Sequence, residues 1–486
     1  MRLIKRFIAP FFLLTFWVTN STALDLMQAY DLALANDPVF RSATKEYEAG
    51  LANLTIGRAG LMPQLSANYY GATNKSTITQ PPYSGAANYT SNLNYQSNNG
   101  GIQVTQTLFS FQAYASYLQG AAQADSAKSK FLFNSQELLI RVLQAYTDLL
   151  NARDQLTFYT SQREAYKEQL KVNENRFKAG EGTRIDILET QASFAMANAQ
   201  VIEIGDTVEN NKRKLEGILG VNLFSAQTLK PLSSHFAIGA LQPERFEAWK
   251  DSALNLNAEI LTAKNNLEVA KQEYRKNLGN NLPTVSAVAN WNQQNSFYIS
   301  TINQNASTST IGVQASWPIF NGGQSIGQTT QSQALYEKSQ ADLDVVQTRV
   351  ITELRKQYDT VMSSKQKIFA LQQAVNSATE LTKAMKKSIA AGERINMDAL
   401  LADKGLVTAQ RDLSQAKYNY TIALLRLKQL AGTLNTEDFE KVAKFFEVNS
   451  QPPKFGSDTG DRLLPQTGNA SIKLIPEITL PAILNN

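Results

Sequence analysis

The residue types that carry most bond-making chemistry are scarce in this chain. Among 486 residues there is no Cys and a single His, His235. A disulfide framework, a thiolate metal site and most zinc or Ser-His-Asp arrangements are therefore excluded. A lone His reads as an ordinary surface or turn residue. What stands out instead is charge placed beside two glycine breaks. Lys178, Glu181 and Arg184 flank Gly180 and Gly182, and Glu393 and Arg394 follow Gly392. Glycine at such a break permits a positive φ, hence a tight turn. Exposed charges around a turn suit docking to another protein. They form no constellation of nucleophile, base and oxyanion donors.

The elements that present these turns are long helices. Gln112 to about Lys178 contains no Pro and is dominated by good helix formers. At 1.5 Å per residue such a helix reaches about 100 Å, too long for a globular domain. After Gly180 and Gly182 a second helix is predicted over about 185–220. The pattern recurs as about 325–391, a break at Gly392, and about 397–431. Leu139, Val142, Leu143, Tyr146, Leu149 and Leu150 follow coiled-coil spacing. The charged turns are thus expected at the tips of two helical hairpins.

The recurrence is a true internal repeat. Leu34, Ala43, Glu48, Pro63 and Ala67 fall on Leu254, Ala263, Glu268, Pro283 and Ala287, a shift of 220. Later the shift is 212: Asp186, Leu188, Leu215 and Gly220 fall on Asp398, Leu400, Leu427 and Gly432. Each copy opens with a helix, expected over 25–57 and 245–276. A proline linker and two alternating stretches follow, about 64–110 and 283–320. Ile311, Val313, Ala315 and Trp317 alternate with Gly312, Gln314 and Ser316. Val285, Ala287, Ala289 and Trp291, and Ile102 and Val104, alternate likewise. Period-two alternation of apolar with small polar residues is the pattern of a barrel wall. Trp291, Trp317, Tyr69 and Tyr70 are candidate aromatics at the membrane interface. Four strands cannot close a barrel, since the smallest transmembrane barrels need about eight. Several copies must share one.

The N-terminus agrees with that destination. Arg2, Lys5 and Arg6 precede an apolar run over 8–18, and Ser21-Thr22-Ala23 supplies small residues for cleavage. Residues 1–23 are read as a secretory signal peptide. The remaining divisions are a first repeat over 24–232, a linker over 233–244, a second repeat over 245–447 and a tail over 448–486, read as disordered. The net charge of +5 is spread along the chain, with no basic stripe interleaved with aromatics, so no nucleic-acid partner is expected.

Several short stretches give these features a family. Leu61-Met62-Pro63-Gln64-Leu65, Arg176-Phe177-Lys178-Ala179-Gly180, Tyr418-Asn419-Tyr420 and Ala431-Gly432-Thr433-Leu434-Asn435 resemble the TolC outer-membrane factors. The likeness runs through the whole mature length apart from the tail. Ala179–Thr183 and Gly392–Asn396 resemble the branch that serves type I secretion of metalloproteases and lipases. The resemblance implies an α+β membrane protein: a trimeric twelve-stranded outer-membrane β-barrel, four strands per protomer, continuous with a periplasmic α-helical barrel. The residues themselves offer no phosphate loop, metal cluster or activated nucleophile, so neither catalysis nor a cofactor is expected. The partners the resemblance implies are a periplasmic adaptor, an inner-membrane ABC exporter and outer-membrane lipid. The alternative within the family is a multidrug efflux duct.

The same resemblance assigns roles at the periplasmic entrance. Asp398 matches a ring aspartate, and three copies would gather three carboxylates that repel one another and attract cations. A second ring position is Leu401 here. Asp186 and Arg394 match two positions of a polar lock whose family partners fall on Ile185 and Ile389. The adaptor and exporter are expected to touch the hairpin tips through Lys178, Gly180, Glu181, Arg184, Gly392 and Glu393.

Overall fold

The computed structural model describes residues 23–80, 89–223, 229–297 except 234, 235, 237 and 240, 303–391 and 396–446. His235 and the predicted signal and tail segments lie outside them, apart from Ala23. Each repeat begins with a pair of short helices: α1 (Leu26–Asn36) and α2 (Pro38–Ala59) in the first, α5 (Phe246–Leu256) and α6 (Ala258–Gly279) in the second. The sequence predicts a single helix at each place. The break has a local cause. Asp37 accepts from the Phe40 amide at 3.0 Å and Pro38 takes the first helical position, where a missing N–H costs nothing. At the matching place in the second repeat, Asn257 accepts from the Glu259 and Ile260 amides.

These breaks seat the ends of two other helices. α3 (Phe111–Lys178) and α4 (Arg184–Leu219) form one hairpin, and α7 (Gln324–Ala390) and α8 (Asn396–Leu430) the other. The Asn36 amide donates to the Leu219 carbonyl at 3.0 Å, and Asn257 donates to Leu430 at 2.9 Å. Gly220 and Gly432 follow with φ of 66° and 75°. A Cβ on Gly220 would lie 2.5 Å from the Asn36 Cβ, and one on Gly432 2.3 Å from the Leu256 carbonyl. The joint is built twice, but the donor moves by one position: Asn257, which also caps α6, stands where the first repeat has Asp37, and Leu256 stands where it has Asn36.

Four antiparallel strands make one sheet in the order β1 (Gln64–Gln80), β2 (Tyr89–Phe109), β3 (Thr284–Phe297), β4 (Asn303–Ser316). The hairpins of the two repeats join through β2 and β3. β1 and β4 are left as edges. Helix α3 starts one residue after β2, where Ser110 caps it by accepting from the Ala113 amide. At 68 residues it runs about 100 Å.

The main core wraps the middle of α3. Leu138, Leu139, Val142, Leu143, Tyr146 and Leu149 pack against α1, the end of α4, helix α9 (Thr436–Ala443) and the 3-10 turn Lys444–Phe446. The run read as a coiled-coil seam therefore serves a belt around the mid-height of the molecule. Tyr146 fixes that belt, donating to the carbonyls of Leu24 and Lys230 at 2.9 and 3.1 Å. A second core joins α5, α7 and α8 through Trp249, Leu354, Leu424 and Leu427.

Candidate functional site

Register decides which side chains share a face of the sheet. Leu65, Val104, Ala289 and Ile311 form one row across all four strands; Ala67, Ile102, Trp291 and Ser309 form another. One residue along, the rows on the opposite face are Ser66, Gln103, Asn290, Thr310 and Asn68, Gly101, Asn292, Thr308. One face is apolar and the other carries small uncharged polar groups. Ile311 is 89% exposed and Leu65 73% in the isolated chain. Such exposure is tolerable only against lipid or another protein. Among the described residues no helix is long and apolar enough to cross a membrane. The alternating, exposed apolar face of the four strands has the pattern of barrel strands that cross one. The polar face then lines a water-filled passage.

The apolar band is bounded at one end by the Ala315 row and at the other by the row of Tyr69, Gly100, Gln293 and Ser307. From the Ala315 row to the Ser307 row is about 26 Å along the strand. A tilt of about 40° reduces this to a band about 20 Å tall, near the ~25 Å of such barrels. Trp317 lies just past the end of β4 and donates to the Asn281 carbonyl at 3.1 Å. Trp291 and Tyr69 lie toward the other limit, Trp291 donating to Ser307 Oγ at 3.1 Å. Tyr70 falls on the polar face, so it is no member of an interfacial girdle.

Both edges of the sheet end in unpaired backbone groups. An edge within a bilayer is not tolerated, because the lipid offers no hydrogen bonds. Pairing β4 of one copy with β1 of the next removes every edge, and three copies give twelve strands. Exposed Ile185, Leu188, Met196 and Ile202 on α4, and Val345, Phe369 and Leu381 on α7, are likewise left for neighbouring helices.

At the far end lies the α3–α4 turn. The Gly180 N–H donates to Phe177 O and the Glu181 N–H to Arg176 O, with Gly180 at φ 78°. Lys178, Glu181 and Arg184 are exposed around it. Asp186 is half-buried and its first role is structural. Its Oδ2 accepts from the Thr183 amide at 3.1 Å and from the Thr183 hydroxyl at 2.6 Å, while the Asp186 amide donates back to Thr183 Oγ1 at 3.2 Å. This is a capping box that starts α4. Behind it the buried Asn173 donates to Thr190 Oγ1 at 2.8 Å and to the Asp186 carbonyl at 3.2 Å, tying α3 to α4. The Thr183-x-x-Asp186 spacing was the available signal for the cap; Asn173 carried none.

Gly392, Glu393 and Arg394 lie outside the described residues. Asp398 is half-buried in the first turn of α8. Its neighbours Ala399 and Leu400 are buried, Leu400 against Tyr166 of α3 and Ala197 of α4. Leu401 is 60% exposed and Ile185 66%. The structure thus gathers Lys178, Gly180, Glu181, Arg184 and Asp186 at one turn, and sets Asp398 on the other hairpin.

A polar seam missed by the sequence reading joins the two hairpins above the tips. Arg426 donates to Glu137 Oε2 at 2.6 Å, Asn151 to Gln415 at 2.6 Å and the Tyr418 hydroxyl to Asp154 Oδ2 at 2.8 Å. Burial pushes the Asp154 carboxyl above its ordinary range, opposed by the Tyr418 hydrogen bond and the Lys417 charge. Burial likewise lowers Lys417. No periodicity marks such residues, because each is an ordinary polar group until two distant helices meet.

A four-stranded sheet with one lipid face, one water face and two unpaired edges, set on helices about 100 Å long, defines the protomer of a shared-barrel outer-membrane channel. The chain belongs to the outer membrane efflux protein family, whose pattern matches residues 29–221 and 249–433. It is 38% identical over 435 residues to the alkaline protease secretion protein AprF of Pseudomonas aeruginosa, covering 90% of each chain. It is 34% identical to the proteases secretion protein PrtF of Dickeya chrysanthemi, covering 88% of this chain and 92% of that relative. The outer membrane protein TolC of Vibrio cholerae is 27% identical over 424 residues. Among solved structures, the outer-membrane channel OprN superposes with a TM-score of 0.72 at 17% identity, covering 84% of this chain and 90% of that one. That likeness shows the fold.

Proposed function

We propose that three copies of this chain form the outer-membrane channel of a type I secretion system. It passes an unfolded protein of the protease or lipase class. Its partners are a periplasmic adaptor and an inner-membrane ABC exporter, and the chain itself performs no catalysis. The observation that supports this most is the near full-length similarity, at 38% and 34%, to two proteins named for protease secretion. The lumen face of Ser66, Gln103, Asn290 and Thr310 suits the reading. Uncharged polar groups wet an extended polypeptide without holding it.

The resting channel closes at the hairpin tips in this proposal. Three Asp398 carboxylates ring the entrance, and Arg394 and Asp186 contribute a polar lock, beside the capping duty of Asp186. Lys178, Gly180, Glu181, Arg184, Gly392 and Glu393 meet the adaptor and exporter. Deleting the gene and assaying secreted protease and lipase, together with drug sensitivity, tests the reading. Loss of a secreted enzyme with unchanged drug sensitivity is expected. Normal secretion with drug hypersensitivity would replace it by the efflux alternative.

A further inference from the structure

On β1 the side that faces the passage carries Gln64, Ser66, Asn68 and Tyr70. Where all four strands pair, every other described residue on that side is Ser, Thr, Asn, Gln, Gly, Ala or Val. None is charged, and Tyr70 is the one aromatic among them. Its row is Tyr70, Asn99, Gln294 and Ala306, one residue beyond the row that bounds the apolar band at its external end. Tyr70 is 63% exposed in the isolated chain, and Gly101, diagonally across the same face, brings no side chain to cover it.

The width of the passage makes this residue matter. Twelve strands about 4.8 Å apart and tilted about 40° close a barrel with a backbone radius of about 12 Å. A strand side chain stands roughly perpendicular to its sheet, and a tyrosine is long enough to cover about half of that radius. Three at one level leave an opening of about 10 Å, close to the width of one helix or one extended chain. The glutamines on this face are nearly as long, but they are flexible and hydrated, so they yield to a passing chain. Tyrosine is rigid, with two side-chain torsions, and keeps its ring in the way.

We propose that the three Tyr70 side chains form an aromatic contact ring near the external end of the barrel, against which aromatic side chains of the exported polypeptide lie as it leaves. This rests on the three-copy barrel and the unfolded cargo of the proposed function. A ring offers edge-to-face or offset-stacked contact to any aromatic that passes, whatever the sequence around it. The uncharged wall neither attracts nor repels charged segments of the cargo, so within that wall the grip is local to Tyr70. A contact of this kind holds a chain only a few-fold longer than none, which opposes backward sliding without arresting export.

Single-channel recording of trimers in a planar bilayer tests this. The probes are a flexible Gly-Ser peptide carrying evenly spaced Trp and the same peptide with Gln in those places. Both are added on the external side, so that they reach Tyr70 without crossing the periplasmic entrance. Conducting trimers of the unsubstituted chain show that the channel reading stands; their failure to conduct would refute that reading instead. In the unsubstituted chain the Trp peptide should block about fivefold longer than the Gln peptide. Tyr70→Phe should keep that ratio, whereas Tyr70→Gln, of similar reach, should abolish it. Tyr70→Ala should abolish it too and raise the conductance. Equal block by the two peptides in the unsubstituted chain overturns the proposal, and that comparison needs no variant to fold. An unchanged ratio in Tyr70→Gln also overturns it, because the grip then lies elsewhere. Higher conductance in Tyr70→Ala with the ratio intact would make Tyr70 a constriction alone, which overturns it as well.

Discussion

The face assignment of the barrel can be tested with two neighbouring residues. Ile311 lies in the Leu65–Val104–Ala289–Ile311 row, four residues from both the Ala315 and Ser307 limits of the apolar band. It therefore sits at the middle of the hydrocarbon, with about 13 Å of strand on each side. An arginine facing lipid at that depth costs about 2–4 kcal/mol. Each trimer carries three, so Ile311→Arg should destabilise the assembled barrel by about 6–12 kcal/mol. Thr310→Arg differs by one position and points into the water-filled passage. Its cost should stay within about 1 kcal/mol per chain, the charge remaining hydrated. The assay is the fraction of heat-modifiable trimer in outer-membrane fractions, followed by denaturant titration of trimer in lipid vesicles. Ile311→Arg should yield little trimer, whereas Thr310→Arg should assemble and shift ion selectivity toward anions. Equal loss in both, or greater loss with Thr310→Arg, would refute the assignment.

Other expectations follow from single contacts. Gly432→Ala places a Cβ 2.3 Å from the Leu256 carbonyl at φ 75°, so it should lower the trimer's thermal midpoint, with a cost of at least about 1–2 kcal/mol per chain; a midpoint within error of the unsubstituted chain would contradict this joint. Thr183→Ala removes the cap of α4 and should cost about 1 kcal/mol, read as faster amide exchange confined to the first turn of α4. Asp154 has a raised pKa because it is buried, so folding favours its protonated form. Its stabilisation is complete below the ordinary carboxylate pKa of about 4 and is lost as pH rises from there through the raised value. Thermal midpoints should accordingly fall with rising pH across that window, and Asp154→Asn should flatten that fall; an unchanged slope would remove Asp154 as its source. Tyr418→Phe leaves Asp154 buried without its 2.8 Å donor and should cost about 1–3 kcal/mol, more than Tyr159→Phe, whose contact with Arg411 is 3.5 Å.

Much of this architecture is periodic and therefore readable along one dimension. Two copies at shifts of 220 and 212, proline-free helices and alternating strands specify elements whose lengths forbid a globule. Four strands with apolar outer rows demand partners, because an open edge cannot sit in lipid. The charged glycine turn after Lys178 falls where expected, as Gly180 is the residue that tolerates φ 78°. Other features were legible but overlooked: Asp37-Pro38 is a helix start, and Thr183-x-x-Asp186 is a cap.

Tertiary structure decided what depends on distant residues meeting. Tyr70 sits beside Tyr69 in sequence, and only the register with Asn99 and Gly100 shows that the two face water and lipid respectively. Leu139 to Leu149 keep heptad spacing, but their partners come from α1, α4 and α9, far away in the chain. Asp154 and Tyr418 are 264 positions apart, and neither has a local pattern that foretells burial. Local sequence sets the period of each element, because backbone geometry repeats. Which faces oppose one another is set by packing and strand pairing, which no single segment contains.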